Sequence, residues 1–301
     1  MSDDNNTKLK WLIAGTLFAA LWASAATATK LGLLVSQPLV IAVVRFGMGA
    51  FIMLFIAHIV KRYRLPQKNE WKQIAVYGVL NITIYLGFYV IAMQTVSAGI
   101  GSLAIATSPV YISFLSVFFL KQKLTGAVVS AIIICMIGVV LAAWPLFEDA
   151  TVTTSGLLIL LFSMLSYSVG AIYFSSKNWN GLSLFTINGW QTLLGGLFLL
   201  PFTLFFYKDQ ENHFNKTFWL SVAWLAIPVS IVAVQLWLWL LQTNAVRAGL
   251  WLFLCPLFGF VFAAWWMKEK ISAYTVVGVV MVVAGLLLSK VNSKKLEVIF
   301  D

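Results

Sequence analysis

The residue best placed to bind a ligand by charge is Arg45, the one charged side chain that lies well inside a long apolar segment. The segment begins at Pro38, and Arg45 follows about two helical turns later. A guanidinium in apolar surroundings is a functional candidate, because it can meet the carboxylate of a bound molecule. It can also bond to backbone carbonyls or extend outward, and on the sequence alone we favour that structural role. Lys30, at the end of its segment, is interpreted as an interfacial anchor.

The ten acidic residues all lie outside the middle of the apolar segments. They are Asp3, Asp4, Glu70, Glu148, Asp149, Asp209, Glu211, Glu269, Glu297 and Asp301. His58 lies near the end of an apolar segment, and His213 lies in a polar joint. Proton and sodium coupling commonly uses a carboxylate buried in the membrane. We therefore expect no protonatable relay, and any transport would be facilitative or would occur by exchange.

Uncharged polar and aromatic side chains inside the apolar segments are the candidates for contacting a small molecule. We predict binding residues at Trp22, Ser24, Tyr85, Tyr89, Ser108, Pro109, Tyr111, Tyr167, Gln235, Trp239, Trp251 and Pro256. Polar side chains are unfavourable in hydrocarbon unless they are partnered, so most should face a bundle interior. For any one of them alone, helix–helix packing is favoured over contact with a small molecule. As a group, rings and amides with few charges suit a small zwitterionic or neutral organic molecule better than a phosphorylated one.

Two of these residues, Pro109 and Pro256, belong to a duplicated stretch. The offset between them is 147 residues, and the same offset relates Gly138 to Gly285. A K-x-K turn follows each proline at the same distance. Proline removes one backbone N–H and disturbs the preceding helical turn. The pair therefore predicts either two broken helices that expose backbone groups to a ligand, or two ordinary kinks.

The composition identifies the elements that must position these residues. The chain is 61% hydrophobic and 10% charged, whereas soluble domains carry about 25% charged residues. It is thus predicted to be an all-α integral membrane protein. Segments of about 20 apolar residues can span a bilayer. Ten such runs occur, over residues 9–30, 38–60, 71–92, 97–120, 125–144, 154–176, 184–206, 217–242, 247–267 and 273–290.

The joints between these runs indicate an orientation. Lys and Arg concentrate in the joints on the side of the N-terminus, which predicts that both termini are cytoplasmic. The chain then divides into two five-helix repeats, residues 9–144 and 154–290. Because five is odd, the second repeat should cross the membrane in the opposite direction to the first, an architecture found in transporters. The net charge of +10 is interpreted as topology-setting loop charge rather than as a nucleic-acid surface.

Several short motifs, in this order and spacing, resemble the drug/metabolite transporter superfamily, specifically its EamA-type ten-helix exporters. They are Leu21-Trp22-Ala23-Ser24 with Lys30, Pro38 with Arg45-Phe46, Ser97-Ala98-Gly99, Ser108-Pro109, Lys121-Gln122-Lys123-Leu124-Thr125 and Lys268-Glu269-Lys270-Ile271-Ser272. The resemblance covers about residues 10 to 290. The family's turn carries an acid, which the second K-x-K turn keeps and the first replaces with Gln122. The resemblance implies export of amino acids, their derivatives or other small metabolites.

The sequence thus predicts an exporter or exchanger of small organic metabolites in the cell (inner) membrane. It would work by alternating access without carboxylate-based proton coupling, as a monomer or weak homodimer with no cofactor or metal. The alternatives are a proton-coupled drug/metabolite efflux carrier and a passive channel, although no ring of like charges is visible. An integral membrane enzyme would need placed carboxylates, histidines or a metal set, and the middle of the apolar segments contains none of these.

Overall fold

The structure of the protein is a computed structural model that describes residues 2–122, 124–149, 153–267 and 272–297. Within these ranges every regular element is helical. The first half contains α1 (Ser2–Leu33), α2 (Pro38–Leu54, continued as a π-helix over Phe55–Val60), α3 (Asn69–Gly78, π-helical over Val79–Ile84, then Tyr85–Ala92), α4 (Ala98–Ile105 and Ser108–Phe119) and α5 (Gly126–Asp149). The second half contains α6 (Thr154–Ser176), α7 (Leu184–Phe205), α8 (Lys216–Trp224, π-helical over Leu225–Ala233, then Val234–Thr243), α9 (Ala245–Leu250, a 3₁₀ turn Trp251–Leu254, then Cys255–Met267) and α10 (Ala273–Glu297). A short 3₁₀ turn, Asp209–Glu211, lies between α7 and α8.

Length and apolar composition make this a multi-pass membrane protein. In the described part of the chain, seven helical segments are long and apolar enough to cross a membrane, with mean hydropathies from 1.5 to 2.5. They are Leu9–Leu33, Pro38–Val60, Asn69–Ala92, Ala98–Phe119, Thr154–Ser176, Lys216–Thr243 and Ala245–Trp266. All ten predicted runs lie on helices, and the three that are not among these seven lie on α5, α7 and α10. The membrane character predicted from composition is confirmed.

Two helices are interrupted at equivalent points. Helix α4 breaks between Ile105 and Ser108, and α9 passes through the 3₁₀ turn before Cys255. In each helix the proline of the duplicated stretch is the second residue of the part that follows the break. Proline is tolerated there because the first backbone N–H groups of a helix have no intrahelical acceptor. The repeated proline thus coincides with a repeated interruption.

The last helices of the two halves, α5 and α10, pack through reciprocal glycine contacts. A Cβ atom added to Gly138 would lie 2.7 Å from the Gly278 carbonyl oxygen and 3.1 Å from the Val282 nitrogen. A Cβ atom on Gly285 would lie 3.0 Å from the Ala131 carbonyl oxygen and 2.6 Å from Cys135 Sγ. The two backbones can approach this closely because neither glycine carries a side chain.

These contacts also show how the two helices run. Gly138 contacts residues that precede Gly285 along α10, and Gly285 contacts residues that precede Gly138 along α5. This pattern requires antiparallel helices. The 147-residue offset, applied to Ala131 and Cys135, gives Gly278 and Val282, so the two sets of contacts are equivalent.

The interrupted helices α4 and α9 repeat the arrangement. A Cβ atom on Gly259 would collide with Ser102, and one on Gly249 would lie 3.5 Å from Ile112. The same 147-residue offset relates Ser102 to Gly249 and Ile112 to Gly259, so these positions are equivalent. At these contacts, equivalent helices from the two halves thus meet in an antiparallel orientation.

The K-x-K turns fall partly outside the described residues. Lys121 lies within them, whereas Lys123 and the segment 268–271, which includes the only acid of either turn, do not.

Candidate functional site

Five aromatic rings close a circuit in the middle of the bundle. They are Phe18 and Trp22 on α1, Tyr85 on α3, Tyr167 on α6 and Trp237 on α8. Successive ring centroids are 5.7 Å apart from Phe18 to Trp22, 6.4 Å on to Tyr85, 4.8 Å to Tyr167, 5.5 Å to Trp237 and 5.0 Å back to Phe18. No ring is more than 3% exposed. We call this set the aromatic circuit.

Several polar atoms on or beside the aromatic circuit have no hydrogen-bond partner. In the described structure the buried atoms without one include Tyr167 Oη, Trp237 Nε1 and Tyr89 Oη. An unsatisfied buried donor costs about 1–3 kcal/mol. Tyr89 is joined to the circuit by a 6.0 Å ring contact with Tyr85. The region thus offers several donors to a bound molecule and almost no charge.

Among the described residues, the charged group buried in this region is Arg45 of α2, which is 1% exposed. The segment Tyr85–Ala92 of α3, which carries Tyr85 and Tyr89, packs against α2. Arg45 Nε donates to Ser230 Oγ of α8 over 2.9 Å, and Cζ lies 5.4 Å from the Phe46 ring centroid. The ion pairs formed by the described residues do not include Arg45.

A chain of neutral hydrogen bonds leads away from Arg45. The Ser230 carbonyl accepts from Asn188 Nδ2 over 2.9 Å, and Asn188 Oδ1 accepts from Gln191 Nε2 over 3.0 Å. Gln191 Oε1 in turn accepts from Asn81 Nδ2 over 3.2 Å. All four residues are buried. The chain joins α3, α7 and α8 without any group that titrates near neutral pH.

The π-helical segments supply backbone acceptors to this region. The Leu80 carbonyl accepts from Ser166 Oγ over 2.8 Å, and the Ser230 carbonyl accepts from Asn188 as described above. A π turn shifts the backbone hydrogen-bond register, and such turns are frequent at functional sites. Both lie midway along their helices, in the third helix of each half.

The break in α4 places Ser108 and Pro109 against α6. Ser108 Oγ donates to Met164 Sδ over 3.6 Å, and Ser168 Oγ lies 3.4 Å from the Ser108 carbonyl oxygen. Both Ser108 and Pro109 are buried, while Tyr111 is partly buried against the same core. Pro256 occupies the equivalent buried position in α9.

Other predicted residues lie apart from the aromatic circuit. Ser24 Oγ accepts from Trp224 Nε1 over 2.9 Å and lines an apolar groove of about 600 Å³ between α1, α8 and α9. The amide of Gln235, in its hydrogen-bonding orientation, bonds to the Leu184 carbonyl and the Phe185 N–H at the start of α7. Trp239 is 36% exposed.

Trp251 forms a separate contact near the start of α1. Its ring lies 5.1 Å from that of Trp11, and a Cβ atom on Gly15 would collide with it. Its indole nitrogen is one of the unpartnered atoms. The 3₁₀ turn of α9 thus begins with a buried donor beside α1.

Two members of the circuit, Phe18 and Trp237, are absent from the predicted binding set. The sequence signal that could have identified Trp237 is its spacing of four residues from Leu241, which places both on one helix face. The structure shows that both residues are buried. Phe18 has no polar atom, so a search for polar groups in apolar runs passes over it.

The described residues contain no group of three or more His, Cys, Asp or Glu side chains that could hold a metal ion. Cys135 and Cys255 are buried and free. Of the acidic side chains that the structure describes, Glu70 begins α3 and pairs with Arg64, and Asp209 and Glu211 lie between α7 and α8.

Comparison with known proteins gives a consistent set of matches. A family model described as the EamA-like transporter family matches residues 9–144 and again residues 154–291. Uncharacterized transporter YdfC of Bacillus subtilis is 26% identical over 292 residues, which cover 96% of this chain and 94% of the relative. An uncharacterized transporter of Archaeoglobus fulgidus is 24% identical over 295 residues, covering 94% and 98%. Protein PecM of Dickeya dadantii is 26% identical over 271 residues, covering 89% and 88%.

The fold is shared with a solved crystal structure. The two superpose with a TM-score of 0.77 at 17% sequence identity, over 96% of this chain and 99% of the other. At that identity the likeness concerns the fold alone.

Proposed function

Because the chain belongs to the EamA-like transporter family of the drug/metabolite transporter superfamily, we propose that it carries amino acids or related small metabolites across the cell membrane. It acts as an exporter or exchanger by alternating access. The observation that supports this most directly is the aromatic circuit with Arg45 and unpartnered donors beside it. Such a lining binds a small, weakly charged organic molecule between helices.

The carrier is organised as two inverted five-helix repeats, residues 9–144 and 154–290, that make ten membrane spans with both termini in the cytoplasm. The reciprocal, antiparallel contacts of α4 with α9 and of α5 with α10 support this arrangement. Substrate binds where the repeats meet. Single cysteines at Lys61 and Lys177 should be labelled only from the cytoplasm, and cysteines at Gln37 and Lys208 only from outside. Labelling of Lys177→Cys from outside would contradict the inverted arrangement.

The substrate-binding residues of this proposal are those of the circuit together with Tyr89, Ser108, Pro109, Tyr111, Trp251 and Pro256. Ser24, Gln235 and Trp239 are retained only as residues that shape the surrounding helices. The carrier works as a monomer or weak homodimer and contacts lipid and a small-molecule substrate. It needs no cofactor and binds no nucleic acid.

Transport runs without carboxylate-based proton coupling. The polar chain from Arg45 to Asn81 consists of neutral groups beyond the arginine itself, which supports this mechanism. The alternative is a proton-coupled drug/metabolite efflux carrier. In proteoliposomes we expect uptake that is unchanged by an imposed pH gradient. Accumulation driven by that gradient alone would favour the alternative.

The test of the function itself is a counterflow screen in liposomes. Vesicles loaded with an unlabelled amino acid should accumulate the same labelled amino acid transiently, because a carrier exchanges one for the other. Flux that never saturates and shows no counterflow would indicate a passive channel. Chemical conversion of the substrate without vesicles would indicate an enzyme.

A further inference from the structure

Arg45 is a buried cation that forms no ion pair with any residue that the structure describes. Its side chain is 1% exposed, and the ion pairs among the described residues join Arg64 to Glu70 and Lys208 to Glu211 instead. A guanidinium has five N–H donors, and the hydrogen bond to Ser230 uses only Nε. Leaving a buried charge unpaired is strongly unfavourable. Within the described part of the chain, Ser230 is the one hydrogen-bond acceptor that Arg45 meets, which leaves the two terminal nitrogens available as a donor fork.

The surroundings of the fork are suited to one end of a small molecule. Tyr85 and Tyr89 lie on the part of α3 that packs against α2, and Tyr89 Oη has no hydrogen-bond partner among the described residues. Tyr85 belongs to both this polar group and the aromatic circuit, since its ring lies 4.8 Å from that of Tyr167. A ligand held by Arg45 would thus extend its body along the rings.

We infer that Arg45 is the carboxylate-binding residue of this carrier and restricts its substrates to small monocarboxylates with an uncharged or zwitterionic body. The inference rests on the proposed function and adds the chemical group that is recognised. A carboxylate matches the planar donor fork in a bidentate manner. Because one arginine is available in this region, a second carboxylate or a phosphate on the substrate would remain unpaired in an apolar site.

A purely structural role for Arg45 makes a different prediction. In that role the residue ties α2 to α8 through Ser230. Removing the charge and removing the serine hydroxyl should then have similar consequences, and neither should depend on whether the substrate carries a carboxylate. The two roles are therefore separated by substrate chemistry rather than by activity alone.

The experiment compares amino acids with their carboxamide analogues, which keep the amino group and side chain but lose the carboxylate. Wild-type protein in liposomes should exchange the acid at least about tenfold better than the amide. Arg45→Gln should lose this preference by lowering exchange of the acid and sparing the amide. Arg45→Lys keeps the charge without the fork and should retain part of the preference. Ser230→Ala keeps the guanidinium and should still prefer the acid.

The outcomes separate this inference from the function on which it rests. Wild-type protein that exchanges acid and amide equally would overturn the carboxylate role of Arg45 while leaving the transport function intact. Wild-type protein that neither exchanges nor binds any amino acid, measured by its tryptophan fluorescence, would overturn both. If Arg45→Gln fails to fold, Arg45→Lys decides, and a lysine variant with the full wild-type preference and affinity would contradict recognition by the fork.

Discussion

At the scale of single residues, Trp237 and Trp239 show how much depends on which face of α8 a side chain occupies. Trp237 is 1% exposed and stacks between Phe18 and Tyr167, with ring centroids at 5.0 and 5.5 Å. Trp239, two residues later, is 36% exposed. Since residues two apart on a helix point in nearly opposite directions, the same residue type has a central role at one position and a peripheral role at the other.

Replacing each tryptophan by leucine provides a matched test. Trp237→Leu should lower exchange of the best substrate by about tenfold or more and reduce stability by about 2–4 kcal/mol, because it opens a cavity in the circuit. Trp239→Leu should change both by little. Liposome counterflow and thermal unfolding in detergent measure the two effects. Equal losses in both variants would contradict a binding role for the circuit.

Tyr167 allows a gentler change in the same place. Its hydroxyl is buried and has no hydrogen-bond partner among the described residues. Tyr167→Phe should therefore leave the thermal stability unchanged or raise it slightly, because the unsatisfied group is removed. Its apparent affinity for substrate should fall if the hydroxyl donates to the substrate. A variant with lower stability and unchanged affinity would show that the hydroxyl serves the fold instead.

At the scale of elements, the packing of α5 on α10 depends on two glycines. Gly138→Ala and Gly285→Ala should each destabilise the protein by about 1–3 kcal/mol, because the added methyl group meets backbone atoms of the facing helix. Gly47→Ala in α2 is the control, since no atom lies within 4 Å of the added carbon. Thermal unfolding in detergent measures all three. A loss for Gly47→Ala as large as the others would contradict the interface explanation.

The sequence predicts the helices more completely than it predicts the site. Runs of apolar residues with polar joints determine helix positions because backbone groups in lipid must be satisfied within each segment. Pro109 and Pro256 also predict the interruptions of α4 and α9. The π-helical turns carry no comparable pattern, since Pro228 lies in one and Val79–Ile84 contains no proline.

Membership of the aromatic circuit is harder to predict because it depends on tertiary packing. Trp22, Tyr85 and Tyr167 are separated widely in sequence, and only the packing of α1, α3 and α6 brings their rings to within 6.4 Å. Ser24 shows the reverse case. Its side chain lies on the same helix as Trp22, yet it accepts a hydrogen bond from Trp224 at the apolar groove between α1, α8 and α9.

At the scale of the whole molecule, two polar clusters join the halves at opposite ends of α2. At one end, Asn212 accepts from Ser36 Oγ and from the Gln37 N–H and donates to Gln37 Oε1, over 2.7 to 2.9 Å. At the other, Arg64 pairs with Glu70 at 2.7 Å and donates to the Asn180 carbonyl at 3.0 Å. The hydrogen bond to Glu70 raises the pKa of Arg64, so the arginine stays charged.

Alternating access requires that the polar cluster at one end of α2 can open while the cluster at the other end stays closed. Asn212→Ala removes several partly buried hydrogen bonds and should lower stability by about 1–3 kcal/mol. It should also raise the labelling rate of a cysteine at Ser108 or Tyr111, which belong to the proposed binding set, by a reagent added from the Asn212 side, while a reagent added from the Glu70 side gains nothing. Equal gains from both sides would contradict independent ends.

The reciprocal contacts between α5 and α10 have a consequence for how such a chain can arise. Gly138 meets the counterparts of the residues that Gly285 meets, so the interface uses one set of equivalent positions twice. A half-length polypeptide able to insert into the bilayer either way round would already form this interface as a pair of separate subunits. Joining the two genes then adds a covalent link without requiring a new surface, and each half becomes free to change alone.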